Sequence, residues 1–170
     1  MLINNRFKGI FVFLFFVLST SSYAQISEVY IGVNGLTCSQ CTRNVEMSLR
    51  QLPFVSDVKM SLEQTEGKIT FYPKKAADID KIAKAIIKAG FSLRFLKADI
   101  NFDQVKVSDD KEFDLNDIHY QVINTEKSQL KGVRTVQYLG PKFMDKSDLK
   151  RWSSMMHTNS NQTYFYVTVI

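Results

Sequence analysis

The sequence predicts an α+β chain in two units: a compact α/β unit over 25–96 and a small, mainly-β unit over 97–170. Three observations carry this. Apolar residues alternate with period two in several short runs, two intervening segments repeat their apolar side chains at helical spacing, and after Lys97 only β-type runs and turn residues recur apart from one short helical pattern.

The chain opens with Arg6 and Lys8, an unbroken apolar run from Ile10 to Leu18, and a small polar stretch ending at Ala24. This is the pattern of a signal peptide over 1–24. The apolar run is well short of the ~20 residues a spanning helix needs, and Ser22 and Ala24 supply small residues before a cut at Gln25. The expected mature chain is exported, periplasmic or secreted, with no membrane anchor, since no later run is apolar for long enough. Without Arg6 and Lys8 the balance is 20 basic against 17 acidic residues, a modest excess. The spaced Lys81, Lys84 and Lys88, and Lys74-Lys75, have no interleaved aromatics and read as a solvated face rather than a nucleic-acid surface.

Within the first unit, Val29, Ile31 and Val33 alternate as in a strand with one buried face, and Asn34-Gly35 breaks it. From Cys41 to Leu52, Val45, Leu49 and Leu52 recur at helical spacing opposite Arg43, Glu46 and Arg50, and Pro53 ends the helix. Val58, Met60 and Leu62 alternate, Glu66-Gly67 is expected to turn the chain, and Ile69 and Phe71 form a second hairpin strand. Asp78 or Asp80 can cap a helix whose stripe is Ile79, Ile82, Ala83 and Ile86. Gly90 closes that helix, and Phe91, Leu93 and Phe95 resume alternation. Strand, helix, strand, strand, helix, strand is the ferredoxin-like split βαβ order, βαββαβ.

The second unit shows β-type runs at Ile100–Val107, Ile118–Asn124, Val133–Leu139 and Tyr164–Ile170, which could form an open barrel of the OB type. A short helix is expected over Asp145–Met156, capped by Ser147, with Leu149, Trp152 and Met156 on one side.

The chemistry is concentrated in Gly35-Leu36-Thr37-Cys38-Ser39-Gln40-Cys41, which holds the only two cysteines of the chain. An exported protein of this length that stapled itself with disulfides would use more. At the start of a helix, free N–H groups and the positive end of the dipole favour thiolate. Two thiolates select a soft ion, Cu(I), Ag(I) or Hg(II), or Zn(II) with further ligands; neither histidine, His119 or His157, is near in sequence. The same pair could instead exchange with a disulfide, as in an exported dithiol-disulfide oxidoreductase, although no Pro or aromatic lies beside the motif. Met155-Met156-His157 with Met144 and His119 could form a second copper site, but methionines at helical spacing beside Trp152 fit core filling better. Asn161-Gln162-Thr163 matches a glycosylation acceptor without other support. No Ser/His/Asp order, paired-carboxylate cleft or Gly-rich phosphate loop stands out, so a non-enzymatic role is expected.

Gly35-Leu36-Thr37-Cys38-Ser39-Gln40-Cys41, the βαββαβ order and Lys88-Ala89-Gly90-Phe91 before the last strand resemble the heavy-metal-associated domain family, over about residues 26–96. The resemblance implies a soft-metal carrier or scavenger in which Cys38 and Cys41 hold the ion and release it by ligand exchange. Its partner would be a metal-transporting membrane protein or another metal carrier. Thr37 resembles the copper-type members. Leu36 stands where the family most often has Met, packing beneath the loop. Phe91 stands where soluble chaperones often have Lys or Tyr and transporter-linked domains have Phe. An exported chain also invites comparison with the family's periplasmic mercury scavenger. Gly35, Leu36, Thr37 and Phe91 are thus expected to support the loop.

Overall fold

The computed structural model describes residues 26–123, 130–156 and 164–170. The expected leader, His157 and the Asn161-Gln162-Thr163 acceptor lie outside the described residues. The first unit runs β1 (Ile26–Asn34), α1 (Ser39–Arg50), β2 (Val55–Ser61), β3 (Glu66–Phe71), α2 (Ile79–Lys88) and β4 (Ser92–Asn101). The remainder adds β5 (Glu112–Leu115), β6 (Ile118–Val122), β7 (Val133–Leu139), α3 (Lys146–Trp152) and β8 (Tyr164–Val169). The fold is α+β, as expected. Among the described residues no helix is long and apolar enough to cross a membrane.

The eight strands of the described residues belong to one sheet in the order β2-β3-β1-β4-β7-β8-β6-β5. The first four strands give the split βαβ arrangement, with β1 antiparallel to both β3 and β4. The stripes foreseen on the helices are buried: Val45 and Leu49 on α1, and Ile79, Ile82, Ala83 and Ile86 on α2. They meet Val29, Ile31 and Val33 of β1 in one apolar cluster. Each such side chain removed from water contributes on the order of 1.5–3 kcal/mol, which sets the strand register.

The sheet does not end at residue 96. β4 continues to Asn101 and pairs with β7 from Lys97↔Gln137 to Asn101↔Val133. Leu96, Ala98 and Ile100 keep the alternation going, so the strand has no physical reason to stop at the expected division. The later strands therefore extend the first sheet. They do curl: Phe102, just past β4, meets Phe113 of the far edge strand edge-on, with ring centroids 5.2 Å apart. Phe113, Tyr120, Tyr138, Phe143 and Phe165 then continue the same core. Residues Leu139 and Tyr166, which alternation turns to the other face, pack with Ile123, Met144, the α3 side chains Leu149 and Trp152, and Met156 just past the helix.

Other local expectations shift for identifiable reasons. Phe95 is not a core residue. The register between β1 and β4 slips between Gly32 and Val33, so Leu93 and Leu96 are both buried, while Arg94 and Phe95 share the opposite face. There Phe95 lies between two cations, Arg94 at 5.3 Å and Lys97 at 4.7 Å from its ring centre. The hairpin turn falls at Leu62–Thr65 rather than Glu66-Gly67, with Thr65 at φ +53°. Gly67 sits inside β3, opposite Met60, because a β-carbon there would lie 2.3 Å from the Met60 sulfur. β2 is an edge strand, so Met60 is half-buried and Leu62 exposed. Helix α3 begins at Lys146, which makes Asp145 its N-cap instead of Ser147. β5, only four residues long, was not foreseen.

Candidate metal centre

The dithiol loop joins the end of β1 to α1. Gly35 has φ +84°, a conformation other residues enter only with strain, and this turns the chain out of the sheet. Leu36 then points inward and is buried in the same cluster as Val33 and Val45, beneath the loop. Thr37, Cys38, Ser39 and Gln40 are exposed. Thr37 makes no bond that defines the site.

Cys38 is the N-cap of α1, in extended conformation at φ −151°, ψ 162°. Its sulfur accepts a hydrogen bond from the Cys41 backbone N–H at 3.4 Å, where Ser, Thr, Asp or Asn is the usual acceptor. Its carbonyl accepts from the backbone N–H and from the hydroxyl of Thr42, both at 3.2 Å. Cys41 lies within the first turn, half-buried against the core, while Cys38 faces solvent. The two sulfurs are 2.9 Å apart and unlinked, so one thiol donates to the other. That bond, with the Cys41 and Gln40 backbone N–H groups aimed at the same sulfur, holds the Cys38 thiol below its ordinary pKa. No acidic residue lies in the first turn of α1 to oppose the anion.

Phe91 closes the other side. Helix α2 ends with the Phe91 N–H bonded to the Ile86 carbonyl and Gly90 at φ +92°, an αL C-terminus that aims the next residue back toward α1. The Phe91 ring lies 3.7 Å from where a Gly35 β-carbon would stand, and is half-buried on the core like Cys41. Asn44 of α1 donates to the Ala89 carbonyl at 3.4 Å, tying the two helices at this end.

Gly35, Leu36, Phe91, Cys38 and Cys41 are thus brought together. The methionine and histidine residues considered as a second site are not. Met144 and Met156 fill the cluster under α3, Met155 is exposed, and His119 on β6 is hydrogen-bonded to Asp114 beside the Tyr164 ring. Among the described residues no group of three or more His, Cys, Asp or Glu side chains could hold an ion together.

Sequence reasoning missed two residues at the base of the loop. Asn34 donates from Nδ2 to Ser92 Oγ at 3.3 Å and to Asp145 Oδ1 at 2.6 Å. A pair 111 positions apart leaves no local signal.

The model of the heavy-metal-associated domain matches residues 31–92. The chain is 32% identical over 76 residues to a probable copper-transporting ATPase of Arabidopsis thaliana, a match covering 45% of this chain and 8% of that protein. It is 42% identical over 55 residues to copper-transporting ATPase 2 of Rattus norvegicus, covering 32% of this chain and 4% of that one. The yeast copper transporter domain solved in apo and Cu(I)-loaded states is 33% identical, with 39% of this chain and 90% of that one aligned at a TM-score of 0.36. The chain spans less than a tenth of the length of the curated relatives it matches. The family match, with two free thiols at the start of the first helix of a βαββαβ unit, assigns residues 31–92 to the heavy-metal-associated domain family, a metal-binding unit built here into a larger sheet.

Proposed function

We propose that the chain is an exported carrier or scavenger of Cu(I), held between Cys38 and Cys41 and handed on by ligand exchange. The observation that carries this reading is the pair of unlinked sulfurs, 2.9 Å apart and open on the Cys38 side, at the start of α1. Thiolates are soft donors and prefer a soft ion, and the cap geometry lowers the cost of ionising Cys38. Names of relatives that transport copper support Cu(I) ahead of Ag(I), Hg(II) or Zn(II).

The exposure of Cys38 beside the half-buried Cys41 supports ligand exchange. Cys38 presents its sulfur to solvent, so a thiolate from a partner can approach the ion before either protein sulfur has let go. With no third protein donor at hand among the described residues, the bond to Cys38 is the one that breaks first. Cys41, half-buried against the core, keeps its position while the exposed sulfur leaves. A metal-transporting membrane protein or a second carrier with its own dithiol is the partner this chemistry suits. The apolar run and small residues over 1–24 support export, and no constellation for catalysis supports an enzyme.

The close approach of the sulfurs also suits a dithiol-disulfide oxidoreductase. Copper uptake by the anaerobic, reduced chain, set against insulin reduction, separates the two. The carrier reading predicts about one Cu(I) per chain, lost in Cys38→Ser, and no insulin reduction. Insulin reduction without retained metal would replace it.

A further inference from the structure

We propose that Asp145 is a positioning residue for the dithiol loop, so that the C-terminal part of the chain sets the rigidity of the metal centre. This rests on the metal-binding reading for its purpose, but not for its geometry.

The topology explains how the contact arises. β7 runs antiparallel to β4, so the chain leaving β7 at Gly140 emerges at the end of the sheet where β4 begins. Ser92, at that beginning, is paired with Asn34 at the end of β1. The segment from Gly140 to Asp145 therefore runs out beside the base of the dithiol loop. It is held there from both faces of the sheet: Phe143 packs tilted against Tyr138 and edge-on to Phe165, and Met144 is buried with Leu139 and Ile123. Lys142 adds an ion pair to Asp80 of α2 at 2.9 Å.

Asp145 is the N-cap of α3, yet its side chain makes no capping bond. An aspartate in that place ordinarily accepts from the N–H groups of its own helix. Here a carboxylate oxygen instead accepts from Asn34 Nδ2 at 2.6 Å, a short bond to a charged acceptor in a half-buried setting. The second Nδ2 hydrogen goes to Ser92 Oγ. One amide group thus joins the end of β1, the start of β4 and the entry to α3, immediately before Gly35 turns the chain toward Cys38. The heavy-metal-associated segment ends at residue 92, so this third support comes from outside it. Restraining Asn34 narrows the conformations of the loop that begins one residue later, and a site held in its binding conformation loses less freedom on taking up an ion.

The test uses the full chain in its reduced state, with Asp145→Ala, Asp145→Asn and Lys142→Ala. Backbone hydrogen exchange over residues 35–42 is read in the metal-free proteins, and Cu(I) retention is read by competition with a chelator. Asn keeps a carbonyl oxygen that can accept from Asn34, and Lys142→Ala loosens the same segment without touching that bond. Expected for Asp145→Ala is about fivefold or faster exchange confined to 35–42 and a similar loss of Cu(I) retention, the lower range of a coupling between sites. Asp145→Asn restores both, and Lys142→Ala leaves both as they were. Unchanged exchange over 35–42 in Asp145→Ala, or a rise spread evenly over the sheet, overturns the proposal whatever the copper result. If the native chain takes up no Cu(I) while the local exchange pattern appears as described, the positioning role stands and the copper reading falls.

Discussion

Replacing Gly35 by alanine separates two costs that are usually mixed, the shape of the backbone and the space for a side chain. Space is not the difficulty: the nearest atom to the new β-carbon is a Phe91 ring carbon at 3.7 Å, an ordinary contact. The backbone is, because φ is +84° and an L-residue in the left-handed region loses roughly 1–2 kcal/mol. In a chain of this size each kcal/mol moves the melting temperature by about 2–4 °C, so the metal-free Gly35→Ala chain should melt about 2–8 °C lower. Gly35→Asn should lose less than half as much, since asparagine tolerates this region. Gly32→Ala has the opposite cause, a β-carbon 2.5 Å from the Phe95 ring, and the partly exposed ring can swing away. Thermal unfolding followed by circular dichroism reads all three. Equal losses for Ala and Asn at position 35, or no loss for Ala, would refute the claim that backbone conformation is what Gly35 provides. Because the loop can also relieve the strain by moving, Gly35→Ala should hold Cu(I) less tightly even where its fold survives.

Other outcomes follow from the same contacts. Burial pushes the Tyr120 hydroxyl up to about 12 and Tyr138 well above its ordinary value, the Tyr138 hydroxyl donating to Tyr120 at 3.3 Å. Both prefer the neutral form when folded, so their stabilisation is complete below about pH 10 and declines from there through about 12. An ultraviolet titration should therefore show two phenols ionising only as the fold gives way. Leu36→Met should leave stability within about 1.5 kcal/mol, as volume is conserved, whereas Leu36→Ala should cost about 2–5 kcal/mol because the loop loses its buried anchor. Calorimetry on the metal-free variants decides. With its pKa held down by Cys41 and the helix N–H groups, Cys38 should be alkylated readily at a pH below the ordinary thiol range, and Cys41→Ser should slow that reaction at the same pH. Equal rates in both proteins would remove the sulfur–sulfur bond as the cause.

What the sequence shows and what it hides divide along the range of the interactions. Val29, Ile31 and Val33, or Ile79, Ile82, Ala83 and Ile86, carry a period that local geometry enforces, and each lies buried where that period puts it. Cys38 and Cys41 are legible for the same reason: their spacing and the helix that follows fix their meeting. Cys38 as the capping residue is less so, because sulfur is not the usual acceptor. The continuation of β4 into β7 depends on a partner more than thirty residues away, and nothing near Lys97 announces it. The slip that turns Phe95 out of the core is set by pairing with Gly32, where a ring already fills the space a side chain would need. Asp145 reads as a helix cap and is spent on Asn34 instead, a choice visible only once β7 has carried the chain back to the metal end.

The most direct measurement of the central claim is anaerobic titration of the fully reduced chain with Cu(I) against a competing chelator, beside Cys38→Ser and Cys41→Ser. The account predicts saturation at about one ion per native chain and loss of tight uptake in both variants. Native protein that fails to compete, or serine variants that bind as well as it does, would contradict the assignment of the ion to these two sulfurs.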